Sequence, residues 1–431
     1  MPLTRLSINH YKTVEEPMTI DRFSHLHILI GPNNAGKTNI MDAIEFLLYP
    51  GRDPERLFDP SADVSCDIED SGRTIHIQHI RGTHQFFIDG AEFSPDDTRV
   101  KELQKRCVRI LPDIKPHEVI TNGLTRMKEE YAGAYGEFCR ALSHYFDDME
   151  VSEQLFLQTV HTDRRDRPIA RMGEGFKRLF VMLFYIFNPV YPLILIDEPE
   201  LHVHPSMVKK FVRVLLDVKR NNQIFLTTHH SVFVEPYTLP YLWRVARDVH
   251  RNTKVHSLAT AGLAPHADRF VQEINADNAE MFFADKVLLV EGVSDRILMR
   301  GLIDRFYTGD HDVKVVYAGS KGNVDVYAEL CRAFHISYVV MLDRDALHGA
   351  WPHIISDALH GHHRSAQDEQ IRILKEHNIF ILDGDLESSY PKKYQKRDTK
   401  PLNALYASQN ITGEDVHSSV MKGICEVIEH L

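Results

Sequence analysis

The sequence predicts an α/β chain of two domains, and three observations predict it. Gly31-Pro32-Asn33-Asn34-Ala35-Gly36-Lys37-Thr38 is a full P-loop pattern set between an apolar run and an amphipathic segment. Leu193-Ile194-Leu195-Ile196 is a second apolar run, and it ends in Asp197 and Glu198. Two further runs, Val287–Val290 and Tyr338–Leu342, end at Glu291 and at Asp343-Arg344-Asp345. Buried parallel strands read as continuous apolar runs, and ligands gather outside their carboxyl ends.

Composition supports this reading. A chain of 431 residues with 43% hydrophobic content can form two or three cored domains. Its five cysteines are widely spaced with no CxxC pair, so neither a disulfide framework nor a thiolate zinc site is expected. A reducing cytoplasm fits best, and no basic stretch leads into an apolar run at the N-terminus. The long apolar stretch Leu179–Ile196 is interrupted by Asn188, Pro189 and Pro192, which predicts a buried helix, a turn and a strand, with no membrane association. A net charge of −11 excludes coating of nucleic acid by charge alone, leaving local basic clusters at Arg164–Arg167 and Lys392–Arg397.

Taken in order, the first 90 residues read as short strands around one helix, with alternation in Thr74–Ile80 and a turn at Asp89-Gly90. Residues 98–160 read as a mainly helical insert without a sustained heptad, and from Arg178 helix and strand alternate. These features place an ATPase domain at 1–262, a linker helix at 263–284 and a second α/β domain at 285–431.

In the first domain the P-loop turn aims backbone N–H groups at phosphate, aided by the N-terminus of the helix that follows. Asn33, Asn34, Gly36, Lys37, Thr38 and Asn39 are the expected ATP-binding residues, Lys37 on the β and γ phosphates and Thr38 on Mg²⁺. Asp197 is expected to hold that Mg²⁺ through water, Glu198 to polarise the attacking water, and His229, at the end of another apolar run, to meet the γ-phosphate. In the second domain, Glu291 and Asp295 converge on one point, and Asp343 and Asp345 share a strand face. Such carboxylates suit Mg²⁺ or Mn²⁺ and phosphodiester cleavage. Asp383 and Asp385 read equally as turn residues, and His360-Gly361-His362-His363 as a polar loop.

The first set resembles the ABC-type ATPases of the RecF and SMC group. Met172-Gly173-Glu174-Gly175-Phe176-Lys177-Arg178 stands where their signature lies, although it departs from the commoner Leu-Ser-Gly-Gly-Gln form. The resemblance implies that Gly173 and Gly175 close over nucleotide held by a second protomer, hence a homodimer or larger homo-oligomer. The glutamine-bearing loop is not placed; Gln78, Gln85, Gln154 and Gln158 stay open. The second set resembles the Toprim fold, without the third alternating aspartate of topoisomerases because position 347 is Leu. The combination resembles the OLD family of nucleases, named for overcoming lysogenization defect. That resemblance implies a late Leu-Glu element, met by Leu386-Glu387, with Glu387 as a further metal ligand, and a following lysine, Lys392 or Lys393, that stabilises phosphate charge. It also implies an endonuclease acting on DNA under ATP control, in antiphage defence or DNA processing, with a defence-system partner protein. An ATP-driven DNA clamp without cleavage and a nuclease acting on RNA are the alternatives.

Overall fold

The computed structural model describes residues 2–112, 116–146, 149–151, 156–159, 166–168, 172–217, 222–263, 270, 272–275, 277–348 and 351–431, with backbone alone at 116–122, 149–151, 156–159 and 166–168. Two compact units divide the chain, Met1–Thr260 and Ala261–Leu431.

The first unit opens with β1 (Leu3–Asn9), β2 (Met18–Ile20) and β3 (Leu26–Ile30). The helix Lys37–Leu48 follows, and then β4 (Asp63–Asp70), β5 (Arg73–Ile80), β6 (Thr83–Ile88), β7 (Ala91–Phe93) and β8 (Cys107–Ile110). Helices Pro116–Glu130 and Ala132–Tyr145 precede the short strands β9 (Met149–Val151), β10 (Phe156–Thr159) and β11 (Asp166–Pro168). The unit closes with helix Glu174–Phe187, β12 (Leu193–Asp197), helix Pro205–Asp217, β13 (Gln223–Thr227), β14 (Leu242–Arg247) and β15 (Thr253–His256).

An antiparallel sheet has the order β2-β1-β4-β5-β6-β7, and a mixed sheet the order β15-β14-β3-β13-β12-β8. The helix Lys37–Leu48 is shared by both. Its Ile40, Ile44 and Leu47 join Leu6, Ile77 and Phe86 of the antiparallel sheet and Leu195 and Phe225 of the mixed sheet in one core. Each such side chain contributes about 1.5–3 kcal/mol on full burial. The β6–β7 turn takes positive φ at both Asp89 and Gly90, the twist that a two-residue hairpin requires. Leu179–Ile196 resolves into the buried helix Glu174–Phe187, a turn and β12, and no described helix is long and apolar enough to cross a membrane.

Residues 98–160 are mainly helical, over Thr98–Lys105, Pro116–Glu130 and Ala132–Tyr145, but short strands interrupt them. Cys107–Ile110 pairs in parallel with β12 as an edge strand of the mixed sheet, and β9 and β10 lie in a small sheet of their own. Four residues are too few for periodicity to separate a strand from a helix, so the pairing with β12 decides. In the expected linker helix, the described residues form a 3₁₀ turn at Ala279–Phe283, while 264–269, 271 and 276 lie outside the described residues.

The second unit is a four-stranded parallel sheet, β16 (Lys286–Val290), β17 (Val313–Tyr317), β18 (Ser337–Leu342) and β19 (Ile379–Ile381), in the order β17-β16-β18-β19. Its apolar strands pack against helices Val293–Phe306, Lys400–Asn410 and Lys422–His430, through Leu288, Met341, Leu298, Ala404 and Ile424. All four strands run the same way, so their carboxyl ends bring Glu291, Asp343 and the segment before Glu387 to one rim.

Candidate functional site

The fully buried β3 delivers the chain into the P-loop, where Gly31 has φ +132. A Cβ there would lie 2.1 Å from the Val245 carbonyl oxygen, so only glycine lets β14 pass so close. The turn encloses a cleft of about 450 Å³ lined by Asn33, Asn34, Gly36, Lys37, Thr38, Asn39 and His229. Thr13 and Arg247 also line it. Lys37 Nζ donates to the Gly31 and Pro32 carbonyls, both at 2.8 Å, so the loop curls around its ammonium. Burial pulls the lysine down to about 8, with Glu198 opposing. Asn39 donates to Thr13 Oγ1 at 2.7 Å, and Thr253 Oγ1 donates to the Ala35 carbonyl at 2.9 Å, which fixes the loop from outside.

Beyond β12, Glu198 takes φ +45, a left-handed conformation that is costly for a side chain of this kind. Its amide donates to the Thr227 carbonyl at 3.0 Å, and its carboxylate lies 3.3 Å from His229 Nε2. Burial and then Lys37 lower the His229 pKa, so its imidazole is neutral near pH 7. Glu200 holds this end of β13 in place, because its Oε1 accepts from the Thr228 hydroxyl at 2.8 Å and from the His229 amide at 3.0 Å. Gly173 caps the helix Glu174–Phe187, and a Cβ on Gly175 would lie 2.1 Å from the His202 carbonyl oxygen.

Asp197 is placed differently from expectation. It does not face the cleft: Oδ1 accepts from Thr227 Oγ1 at 3.0 Å, and Oδ2 accepts from Arg109 Nε at 2.8 Å and Nη2 at 2.6 Å. Arg109, on the strand that sequence periodicity did not find, is 5% exposed. It also reaches Asp42 at 2.9 Å and Glu45 at 3.3 Å on the helix of the P-loop, which Arg56 contacts from the other side at 2.6 and 2.8 Å. Burial raises the Asp197 pKa and the Arg109 guanidinium pulls it back. Four charged groups therefore link the P-loop helix, β8 and β12.

In the second unit Glu291 follows β16, and Asp295 lies in the first turn of helix Val293–Phe306, where its Oδ2 accepts from the Gly292 amide at 2.8 Å. Asp343 caps a 3₁₀ turn, Arg344–Leu347, so Asp345 sits on that turn rather than on the alternating face of β18. Asp345 is exposed and 3.6 Å from Lys321 Nζ. Burial, then Asp295, Glu291 and Asp345, push Asp343 up to about 7. Burial raises Asp295 to about 6, and burial followed by Asp345 raises Glu291, whose Oε2 is enclosed without a hydrogen-bond partner. No three of these carboxylates bring ligand oxygens within 4.8 Å of one another among the described residues. An orphaned buried oxygen, raised carboxyls and an all-oxygen donor set fit a hard divalent cation. Asp385 is a turn residue, its carboxylate accepting from the Ser388 amide at 3.0 Å, and Asp383 is exposed.

Glu387 lies on the 3₁₀ turn Leu386–Ser389. The lysine that reaches it is Lys400, at 2.9 Å, whose pKa is raised first by that bond and then by the Glu387, Asp385 and Asp343 charges. Lys393 is instead paired with Asp415 at 2.7 Å, and Lys392 shares its 3₁₀ turn. Nothing in the spacing of the chain marks Lys400, because a tertiary fold of the intervening segment brings it back. Lys400→Ala is expected to slow metal-dependent cleavage by roughly 10²–10³-fold, the scale of losing one charge-stabilising donor. Lys393→Ala is expected to leave the cleavage rate within a few-fold, and equal losses in the two variants would contradict the placement.

The raised carboxyls set a pH dependence. Between about pH 4 and 7 the folded, metal-free unit keeps protons that the unfolded chain has released, so its stability falls as pH rises through that window. A cation needs these groups deprotonated, so its binding strengthens over the same range. The Mn²⁺-induced rise in Tm is expected to be larger at pH 8 than at pH 6; a pH-independent rise would contradict it.

The chain matches three family models. One, described as an AAA ATPase domain, matches residues 1–110, and one described as an AAA domain of a Type IV TA system matches 67–235. The TOPRIM domain of overcoming-lysogenization-defect-like proteins matches 282–345. The OLD nuclease of Thermus scotoductus is 28% identical over 217 residues, 46% of this chain and 40% of that protein. Protein ea59 of phage lambda is 22% identical over 52% of this chain and 49% of its own length. The Old nuclease of phage P2 is 21% identical over 80% of this chain and 77% of that protein. The chain thus spans half or less of the first two relatives. An SMC head domain from Thermotoga maritima superposes with a TM-score of 0.42 at 21% identity, covering 59% of this chain and 98% of that one.

Proposed function

We propose that this chain, with its ATPase domain first and its TOPRIM domain second, is a protein of the OLD type: an ATP-regulated, divalent-metal-dependent endonuclease acting on DNA. The observation that carries the reading is the convergence of Glu291, Asp295 and Asp343 on one rim, with raised pKa values and with Lys400 reaching Glu387 beside them.

Glu291, Asp343, Asp345 and Glu387 would hold Mg²⁺ or Mn²⁺, which when bound would supply water activation and neutralise charge on the leaving oxygen. Asp295 holds the Gly292 turn and thereby orients Glu291, while Lys400 places a positive charge where the scissile phosphate gains negative charge. In the first unit Lys37, which now donates to the two loop carbonyls, would bind the β and γ phosphates, and Thr38 would ligate the accompanying Mg²⁺. Glu198 and the neutral His229 form a pair that orients the attacking water. Closure of Gly173 and Gly175 over a second protomer's nucleotide makes the working form a homodimer or larger homo-oligomer. ATP regulates access to DNA rather than joining the cleavage chemistry. The expected setting is antiphage defence or DNA processing, in the cytoplasm, with a partner protein of the same system.

Supercoiled plasmid incubated with the protein and Mg²⁺ or Mn²⁺, with and without ATP, tests the proposal. Metal-dependent nicking or linearisation is the expected result. Cleavage of single-stranded RNA alone would reassign the substrate, and metal-independent DNA retention without cleavage would make the protein a clamp. Lys37→Ala is expected to abolish binding of a fluorescent ATP analogue while leaving the melting of the second unit unchanged. Undiminished nucleotide binding by that variant would refute the assignment of the cleft.

A further inference from the structure

A second set of potential ligands lies at the C-terminal end of the second unit. His417 Nδ1 is 3.8 Å from Cys425 Sγ, and Cys425 Sγ donates to Glu429 Oε1 at 3.3 Å. Among the described residues these three form the one His, Cys, Asp or Glu group whose ligand atoms all lie within 4.8 Å of one another. The spacing is close to the edges of a tetrahedral zinc site, where a sulfur at ~2.3 Å and a nitrogen or oxygen at ~2.0–2.2 Å stand about 3.6 Å apart.

Both sides of the group are fixed by ordinary folding. Cys425 and Glu429 are four residues apart on helix Lys422–His430 and so share a face, while Ile424, Val427 and Ile428 bury the opposite one. His417 caps the short helix Gly413–Val416, which begins with a reciprocal Thr412–Asp415 capping box. Asp415 is in turn held by Lys393 at 2.7 Å and the Tyr394 hydroxyl at 2.6 Å. Cys425 is half-buried and the other two are exposed, so an ion could reach the group from solvent and keep a water in the fourth position.

We propose that His417, Cys425 and Glu429 form a transition-metal site, distinct from the acidic rim, that takes Zn²⁺ or a similar borderline-soft divalent ion and ties the 413–418 turn to the terminal helix. A thiolate, an imidazole and a carboxylate select zinc-like ions over Mg²⁺, which avoids sulfur. On binding, the thiol proton that now points at Glu429 leaves to solvent and the sulfur bonds the metal. The absence of any CxxC pair removed such a site from expectation; the His-x₇-Cys-x₃-Glu spacing builds it from one helix and the turn before it.

Titrating the chelator-treated protein with Co²⁺ tests this. The expected result is a thiolate-to-cobalt charge-transfer band that saturates at one equivalent, persists in excess Mg²⁺ and disappears on adding Zn²⁺. Cys425→Ser should abolish the band, His417→Gln should weaken Co²⁺ binding at least tenfold, and Asp343→Asn should leave it intact. Zn²⁺ should raise the Tm of wild type but not of Cys425→Ser. No band in wild type, or an equal band in Cys425→Ser, would overturn the site, and the metal-free Tm of each variant distinguishes loss of ligation from misfolding.

Discussion

Asp343→Asn is expected to reduce plasmid cleavage by at least two to three orders of magnitude while slightly stabilising the metal-free protein. Asp343 is the carboxylate on which the others press: Asp295, Glu291, Asp345 and Asp385 all raise its pKa on top of burial. Replacing it with a neutral amide of the same shape removes that repulsion, so the apo form melts at the same temperature or higher. The same change removes a charge the cation needs, so the metal-induced rise in Tm shrinks and the charge stabilisation of the transition state is lost. The two effects have opposite signs, which separates this result from simple unfolding. A variant that cuts within tenfold of wild type, or that melts well below it without metal, would remove Asp343 from the centre of the site.

Arg109→Leu is expected to cost the first unit about 3–5 kcal/mol, the range for removing one partner of a buried ion pair. The substitution leaves Asp42, Glu45 and Asp197 enclosed, with Arg56, Lys12 and the half-exposed Arg52 still beside the first two. Asp197 keeps Thr227 alone. Arg109→Lys should recover part of the loss, because an ammonium restores charge but cannot fork between β12 and the P-loop helix. Removing Arg126 from its exposed pair with Glu130 should change nothing measurable. Urea unfolding of the full chain, followed at its first transition, reads all three variants. A change below about 0.5 kcal/mol for Arg109→Leu would show that the network is dispensable, since neutral surface substitutions fall in that range.

Both central sites could be read from the sequence in their local parts. The P-loop, the acidic end of β12 and the strand ending at Glu291 depend on neighbours in the chain, where an apolar run followed by Gly or an acid carries the information. The residues that were missed are those whose role depends on distant segments. Arg109 lies on a four-residue edge strand whose identity comes from pairing with β12, 86 positions later in the chain, as in Ile110 against Ile196 and Cys107 against Leu193. Lys400 replaces Lys393 at the rim because Asp415 captures the earlier lysine. Asp345 moved from strand to turn because β18 stops at Leu342, one residue before the first aspartate. Lys321, near Asp345, lies between Gly319 and Gly322 after β17, and that glycine-flanked lysine was a signal available in the sequence.

The fit of Gly175 against His202 has a mechanical meaning. With no room for even a methyl group between the start of helix Glu174–Phe187 and the backbone after Glu198, these two stretches must travel as one piece. A push on the glycine turn is then delivered to the segment that positions Glu198 without passing through the core of the unit. If Gly173 and Gly175 close over nucleotide and Glu198 orients water, as proposed, engagement at that turn would be felt at the carboxylate through one rigid contact.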